Sequence, residues 1–114
     1  MSLRVYVAGS SIERATRAIP VIAKLREAGI TITHDWTVDM QEFSNAENSD
    51  AFVPDFQREK IAKDDYKGVF SADRVLLLAP TERGSSGAWV ELGIALGLGI
   101  PVIVTGEKRK RTIF

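Results

Sequence analysis

Arg74-Val75-Leu76-Leu77-Leu78-Ala79, closed by Pro80 and followed by the loop Thr81-Glu82-Arg83-Gly84-Ser85-Ser86-Gly87, decides how this chain folds. From Val75 onward the run is apolar at every position rather than at alternate ones. That pattern marks a strand buried on both faces, as strands of a parallel sheet are. The glycine and serine loop leads into a helix from about Ala88 to Leu98, uncharged except at Glu91. Gly99 stops that helix, and Pro101 to Thr105 form another strand apolar on both faces.

Working outward, the same strand-then-helix order recurs at the start of the chain. Leu3 to Ala8 read as a buried strand ending at the turn residue Gly9. Ser10 stands three residues before Glu13, the spacing of a capping box, in which each side chain satisfies an amide at the helix start. Ile12, Ala15, Ile19, Ile22 and Leu25 then repeat with helical period and present one face to a sheet. Pro20 lacks the amide that the backbone ladder needs, so it is expected to kink or divide this helix. Gly29 stops it, and Ile30 to Thr33 supply a β-branched strand. From Thr37 to Pro54 the periodicity fades, and the stretch carries Asp39, Glu42, Glu47 and Asp50 without a single Lys or Arg. It reads as a long polar loop with room for a helical turn, either a lid over a site or a solvated excursion. A helix from Asp55 to Ser71 follows.

Strands alternating with helices give an α/β fold, a parallel sheet with helices on both faces joined by right-handed crossovers. Ligands of such sheets lie beyond the carboxyl ends of the strands, where crossovers diverge. Gly9-Ser10-Ser11 and Gly84-Ser85-Ser86-Gly87 both follow strands and are expected to border one crevice.

The 114 residues make one domain, 1–114, and exclude several kinds of chemistry. Fifteen Lys plus Arg balance fifteen Asp plus Glu, which argues against a nucleic-acid polymer as partner. There is no cysteine and one histidine, so neither a thiolate nor an imidazole metal centre is expected, and no cofactor is called for. No apolar run approaches the roughly 20 residues that span a bilayer, and no signal-type segment opens the chain. A cytoplasmic protein without membrane contact is the expectation. Chemistry must then come from carboxylates, hydroxyls and backbone.

Glu91 is the lone charge in a helix apolar on most sides, placed in its first turn or so, where the helix dipole favours an ionised carboxylate able to act as a nucleophile. An ordinary acidic residue at a helix start is the competing reading. Asp65 and Asp73, eight residues apart, are a pair whose spacing allows them to meet, although a solvent-facing helix residue and a turn former would look the same. Ser85 and Ser86 offer hydroxyls and amides to a phosphate or sugar oxygen. Tyr6 either presents its hydroxyl to the crevice or packs in the core. Trp36 either stacks on a base or packs under the loop. His34 reads as a strand-end residue without a catalytic role.

The ordered set Tyr6-Val7-Ala8-Gly9-Ser10, Asp65 with Asp73, and Ser85-Ser86-Gly87-Ala88-Trp89-Val90-Glu91-Leu92-Gly93 resembles the nucleoside 2-deoxyribosyltransferase superfamily, which includes the 2′-deoxynucleoside 5′-phosphate N-hydrolases. The resemblance runs from about Leu3 to Val104. It implies a small three-layer, Rossmann-like or flavodoxin-like domain with a parallel sheet of four or five strands. It also implies an enzyme acting on a nucleoside or nucleotide, working as a homodimer or larger homo-oligomer. By this resemblance Glu91 attacks the anomeric carbon to form a glycosyl ester. Asp73 or Asp65 assists the departing base, and Tyr6 positions Glu91. Gly9, Ser10, Ser11, Trp36, Ser85, Ser86 and Gly87 bind substrate, with no metal. The transferases carry an aspartate six residues before the glutamate, where the monophosphate hydrolases carry a serine that meets the 5′-phosphate. Ser85 occupies that place, which favours a phosphorylated substrate. Trp89 stands where many relatives have a small residue and is expected to narrow the sugar pocket. The basic run Lys108-Arg109-Lys110-Arg111 is either a cationic donor to a site or a solvated tail.

Overall fold

The structure, a computed structural model, describes residues 2–41, 53–81 and 86–106. Four strands form one parallel sheet in the order β2-β1-β3-β4, with β1 at Arg4–Ala8, β2 at Thr31–Ile32, β3 at Arg74–Leu78 and β4 at Val102–Thr105. Val5 to Ala8 pair in register with Arg74 to Leu77, and Val75 to Leu78 with Val102 to Thr105. The two central strands carry the core: Tyr6, Val7, Ala8, Val75 and Leu77 have no solvent exposure. The expected α/β fold class holds, and so does the fully apolar reading of the strand after Asp73.

The helices are α1 at Ile19–Glu27, α2 at Trp36–Asp39, α3 at Asp55–Phe70 and α4 at Ser86–Gly97. Right-handed crossovers put α1, between β1 and β2, on one face of the sheet. They put α3 and α4, which run the other way across the sheet and pack on each other, on the opposite face. Gly29 and Gly99 end α1 and α4 at φ 84° and 72°, backbone conformations that a residue with a Cβ rarely adopts. No helix among the described residues is long and apolar enough to cross a membrane.

The first helix is built differently from the expectation. A 3₁₀ turn over Ser11–Glu13 and a π-helical segment over Arg14–Ala18 precede α1, whose second residue is Pro20. Proline at a helix start loses no backbone bond, so it divides the helix here instead of kinking it. The capping box is not formed. The Ser10 hydroxyl accepts from the Ile12 amide at 3.2 Å, while the Glu13 carboxylate reaches across the sheet end to the Thr81 amide at 3.2 Å and hydroxyl at 2.9 Å. Arg17 donates to that carboxylate at 3.3 Å and to the Ala79 carbonyl at 2.7 Å. Glu13 therefore ties the turn after β1 to the turn after β3, a long-range bond that outcompetes the local one.

Within the 37–54 loop, α2 supplies the helical turn, opened by the Asp35 carboxylate accepting from the Thr37 amide at 3.0 Å. Residues 42–52, and with them the reading of a lid, lie outside the described residues, as do Ser85 and the basic run at 108–111.

Candidate active site

The strand order reverses between β1 and β3, because β2 lies outside one and β4 outside the other. Beyond their carboxyl ends the two crossovers part and leave a cavity of about 220 Å³. Gly9, Ser10 and Ser11 line it from the turn after β1, and Gly87, Ala88 and Glu91 from α4. Arg58, Ile61, Ala62 and Asp65 line it from one face of α3, and Trp36, Met40 and Val53 complete the wall.

Glu91 is 9% exposed and lies in the second turn of α4, because the helix begins at Ser86 rather than at Ala88. The field of the helix end fades within the first turn, so the dipole contributes less than its expected position implied. A side chain on another element does more. The hydroxyl of Tyr6, wholly buried on β1, donates to Glu91 Oε2 at 2.5 Å. Burial, and then the negative charge of Glu91, push the Tyr6 phenol well above its ordinary value, so it remains a donor at any working pH. Tyr6 thus packs in the core and, without lining the cavity itself, bonds to Glu91, which does.

Asp65 faces the same cavity from α3. Burial pushes its carboxyl from 3.8 up to about 7, opposed by the charge of His34 and a hydrogen bond with Glu91 and reinforced by Asp39. Two carboxyls that share a hydrogen bond hold one proton between them near neutrality. A carboxylate and a carboxylic acid therefore stand together over an apolar-walled hollow. That is the equipment for attacking an electrophilic carbon and protonating what leaves it.

Asp73 is placed elsewhere. It precedes β3, at the amino end of the sheet, where its carboxylate accepts from the Arg4 amide at 2.9 Å and pairs with the Arg4 guanidinium at 3.4 Å. Those bonds hold its carboxyl below the usual range. The eight-residue spacing does not bring Asp73 to Asp65, because the end of α3 and the turn before β3 carry it to the edge away from the cavity. The Trp36 ring forms a wall of the cavity, fixed by its indole N–H donating to the Val7 carbonyl at 2.7 Å. Trp89 packs against the core and is not among the cavity residues. Ser86 opens α4.

The chain matches the nucleoside 2-deoxyribosyltransferase family over residues 5–112. It belongs to that family. No curated protein and no solved structure matches it. Membership supports glycosyl transfer or cleavage as the general chemistry, and the match spans both the Tyr6 strand and the Glu91 helix.

The sequence did not single out Met40, Val53, Arg58, Ile61 and Ala62 as cavity residues, nor the two acids that stand beside His34. The helical spacing of Arg58, Ile61, Ala62 and Asp65 was the available signal for the α3 face. For His34 there was none, since its neighbours Asp39 and Asp65 come from two other elements. Its Nε2 lies 2.7 Å from Asp39 Oδ2 and 3.6 Å from Asp65 Oδ1.

Proposed function

We propose that this family member is an N-glycosidase-type enzyme that cleaves the N-glycosidic bond of a (deoxy)nucleoside 5′-monophosphate or nucleoside through a glycosyl ester on Glu91. The observation that supports the reading best is the buried Tyr6–Glu91 hydrogen bond of 2.5 Å, with Asp65, whose carboxyl burial pushes up, lining the same cavity as Glu91. In the first step a Glu91 oxygen bonds to the anomeric carbon as the carbon–nitrogen bond breaks. Its electron pair leaves with the base, and the Asp65 carboxyl gives that base a proton. Tyr6 holds Glu91 in line by donating to the oxygen that does not attack. In the second step water bonds to the anomeric carbon, loses a proton to Asp65, and frees Glu91.

The apolar walls of Trp36, Met40, Val53 and Ile61 suit the faces of a nucleobase. Gly9, Ser10, Ser11 and Gly87 suit the sugar and its 5′ oxygen substituents. The serine at position 85 favours a phosphate there, and a homodimer or larger homo-oligomer is part of the same proposal.

Incubation with a panel of nucleosides and their 5′-monophosphates, followed by chromatography of free bases, tests this. Release of base by the wild type is expected, faster from monophosphates, and Glu91→Ala is expected to lower it by at least about 10³-fold while the circular dichroism spectrum stays unchanged. Undiminished turnover in that variant would refute the reading. A second reading, base exchange between nucleosides, follows from the family itself. It predicts that added free base is incorporated into new nucleoside faster than water captures the sugar. A third, a nucleotide-binding module without turnover, predicts calorimetric binding with no base released.

A further inference from the structure

The N–H that His34 presents at Nε2 faces two carboxyl groups. Asp39 Oδ2, 2.7 Å away on α2, accepts it in the tautomer that carries the proton on Nε2. Asp65 Oδ1, 3.6 Å away on α3, lies just beyond hydrogen-bond reach. That oxygen is fully buried and has no hydrogen-bond partner in the free protein. An oxygen in that state tolerates being part of a neutral carboxyl far better than part of an anion.

Any reaction in which Asp65 hands its proton to a leaving base turns this oxygen into half of a buried carboxylate. We propose that His34 is a positioning residue for the acid step, its Nε2–H passing from Asp39 to Asp65 Oδ1 as the Asp65 carboxylate forms. The inference rests on the glycosidase reading above and deepens it. The proton account closes without any further reactant. The Asp65 proton goes to the base nitrogen and the bond electrons to the base, while the His34 proton stays on Nε2 and changes only its acceptor. The water of the second step then returns a proton to Asp65, and His34 falls back to Asp39.

The surroundings suit such a movement. His34 follows Thr33, the residue after β2, whose hydroxyl donates to the Gly68 carbonyl of α3 at 2.7 Å and ties this stretch to α3. The titratable groups around the ring are Asp39 from α2 and Asp64 and Asp65 from α3, while the His34 Cβ and the Tyr6 ring of β1 both lie close to Gly68. Asp64 is engaged by Lys60 at 2.6 Å, which holds its carboxyl below the ordinary range and leaves Asp39 and Asp65 as the two near acceptors. Each flanks the ring from its own element, so the imidazole needs to close less than 1 Å to exchange one for the other.

The test compares His34→Met, which keeps bulk but no donor, with His34→Gln, which keeps a donor. Each is assayed on a nucleoside monophosphate and on the corresponding 4-nitrophenyl 2-deoxyribofuranoside 5-phosphate, whose leaving group departs without a proton. His34→Met is expected to lose about 10- to 100-fold in kcat on the nucleotide, with KM little changed, and to stay within about 2-fold of wild type on the nitrophenyl substrate. His34→Gln is expected to recover most of the loss. The alkaline limb of the nucleotide pH profile should move upward in His34→Met, because the His34 charge opposes the protonated form of Asp65. Equal losses on both substrates would mean that His34 merely supports the fold, and an unchanged kcat on the nucleotide would mean that it does nothing for the acid. Both outcomes overturn the inference. Glu91→Ala runs alongside, since its failure to abolish turnover of either substrate overturns the glycosidase reading itself.

Discussion

Tyr6 and Glu91 sit 85 positions apart and meet through one hydrogen bond. An acidic residue on an apolar helix has to find such a partner, because a buried carboxylate without donors costs several kcal/mol. The tyrosine hydroxyl supplies one without bringing a second charge, and Glu91 lines the cavity beside it. Tyr6→Phe keeps the ring in the core and deletes only that donor. Base release is expected to fall about 10- to 100-fold, with little change in the unfolding midpoint. Initial rates and thermal melts measured on the same preparation check this. The candidate nucleophile was legible as a lone charge among apolar neighbours. Its donor was legible only as an aromatic in a strand, a place where most tyrosines simply pack.

At the scale of elements, α3 is the part whose fit decides the site. It carries Asp65 and most of one cavity wall, and it must lie close on β1 for Asp65 to reach Glu91. Gly68 permits that approach. A Cβ there would stand 2.7 Å from the His34 Cβ and 2.8 Å from the Tyr6 ring, closer than atoms can be packed. Gly68→Ala is expected to lift α3 from the sheet, costing about 1 to 3 kcal/mol of stability and lowering base release more than its stability loss accounts for. Urea unfolding and kcat, taken together, decide whether the two effects separate. Helix α3 was readable from its composition, and its cavity face from the period of Arg58, Ile61, Ala62 and Asp65. The closeness of its packing was not, because a glycine in mid-helix reads locally as a weak point.

For the whole molecule the raised Asp65 carboxyl links stability to pH. Its proton is held more tightly in the folded chain, at about 7, than in the unfolded one, near 3.8. The folded state therefore binds more protons than the unfolded one between those values, and stability falls as pH rises through that window. Above about pH 7 the loss is complete, at about 2 to 4 kcal/mol. Asp65→Asn removes this dependence, so the variant should equal or exceed the wild type in stability at pH 8 while losing base release. Denaturant melts at pH 5 and pH 8 for both proteins measure the difference, and parallel pH profiles would contradict it.

The alternation of strand and helix, the glycine stops and the doubly apolar β3 were determined by the sequence alone, because period and turn chemistry act over a few residues; β4, read the same way, lies at the sheet edge with Ile103 57% exposed. The place of the cavity followed from the same reading, since crossovers in a parallel sheet part at strand ends. Tertiary structure alone decided which acids meet. Asp65 comes to Glu91 and His34 comes to Asp65, while Asp73 is drawn to Arg4 at the far edge, because meeting depends on how helices dock across a sheet. The unformed capping box has the same origin: Glu13 had a nearby amide on offer and took a bond to Thr81 from the other side of the fold.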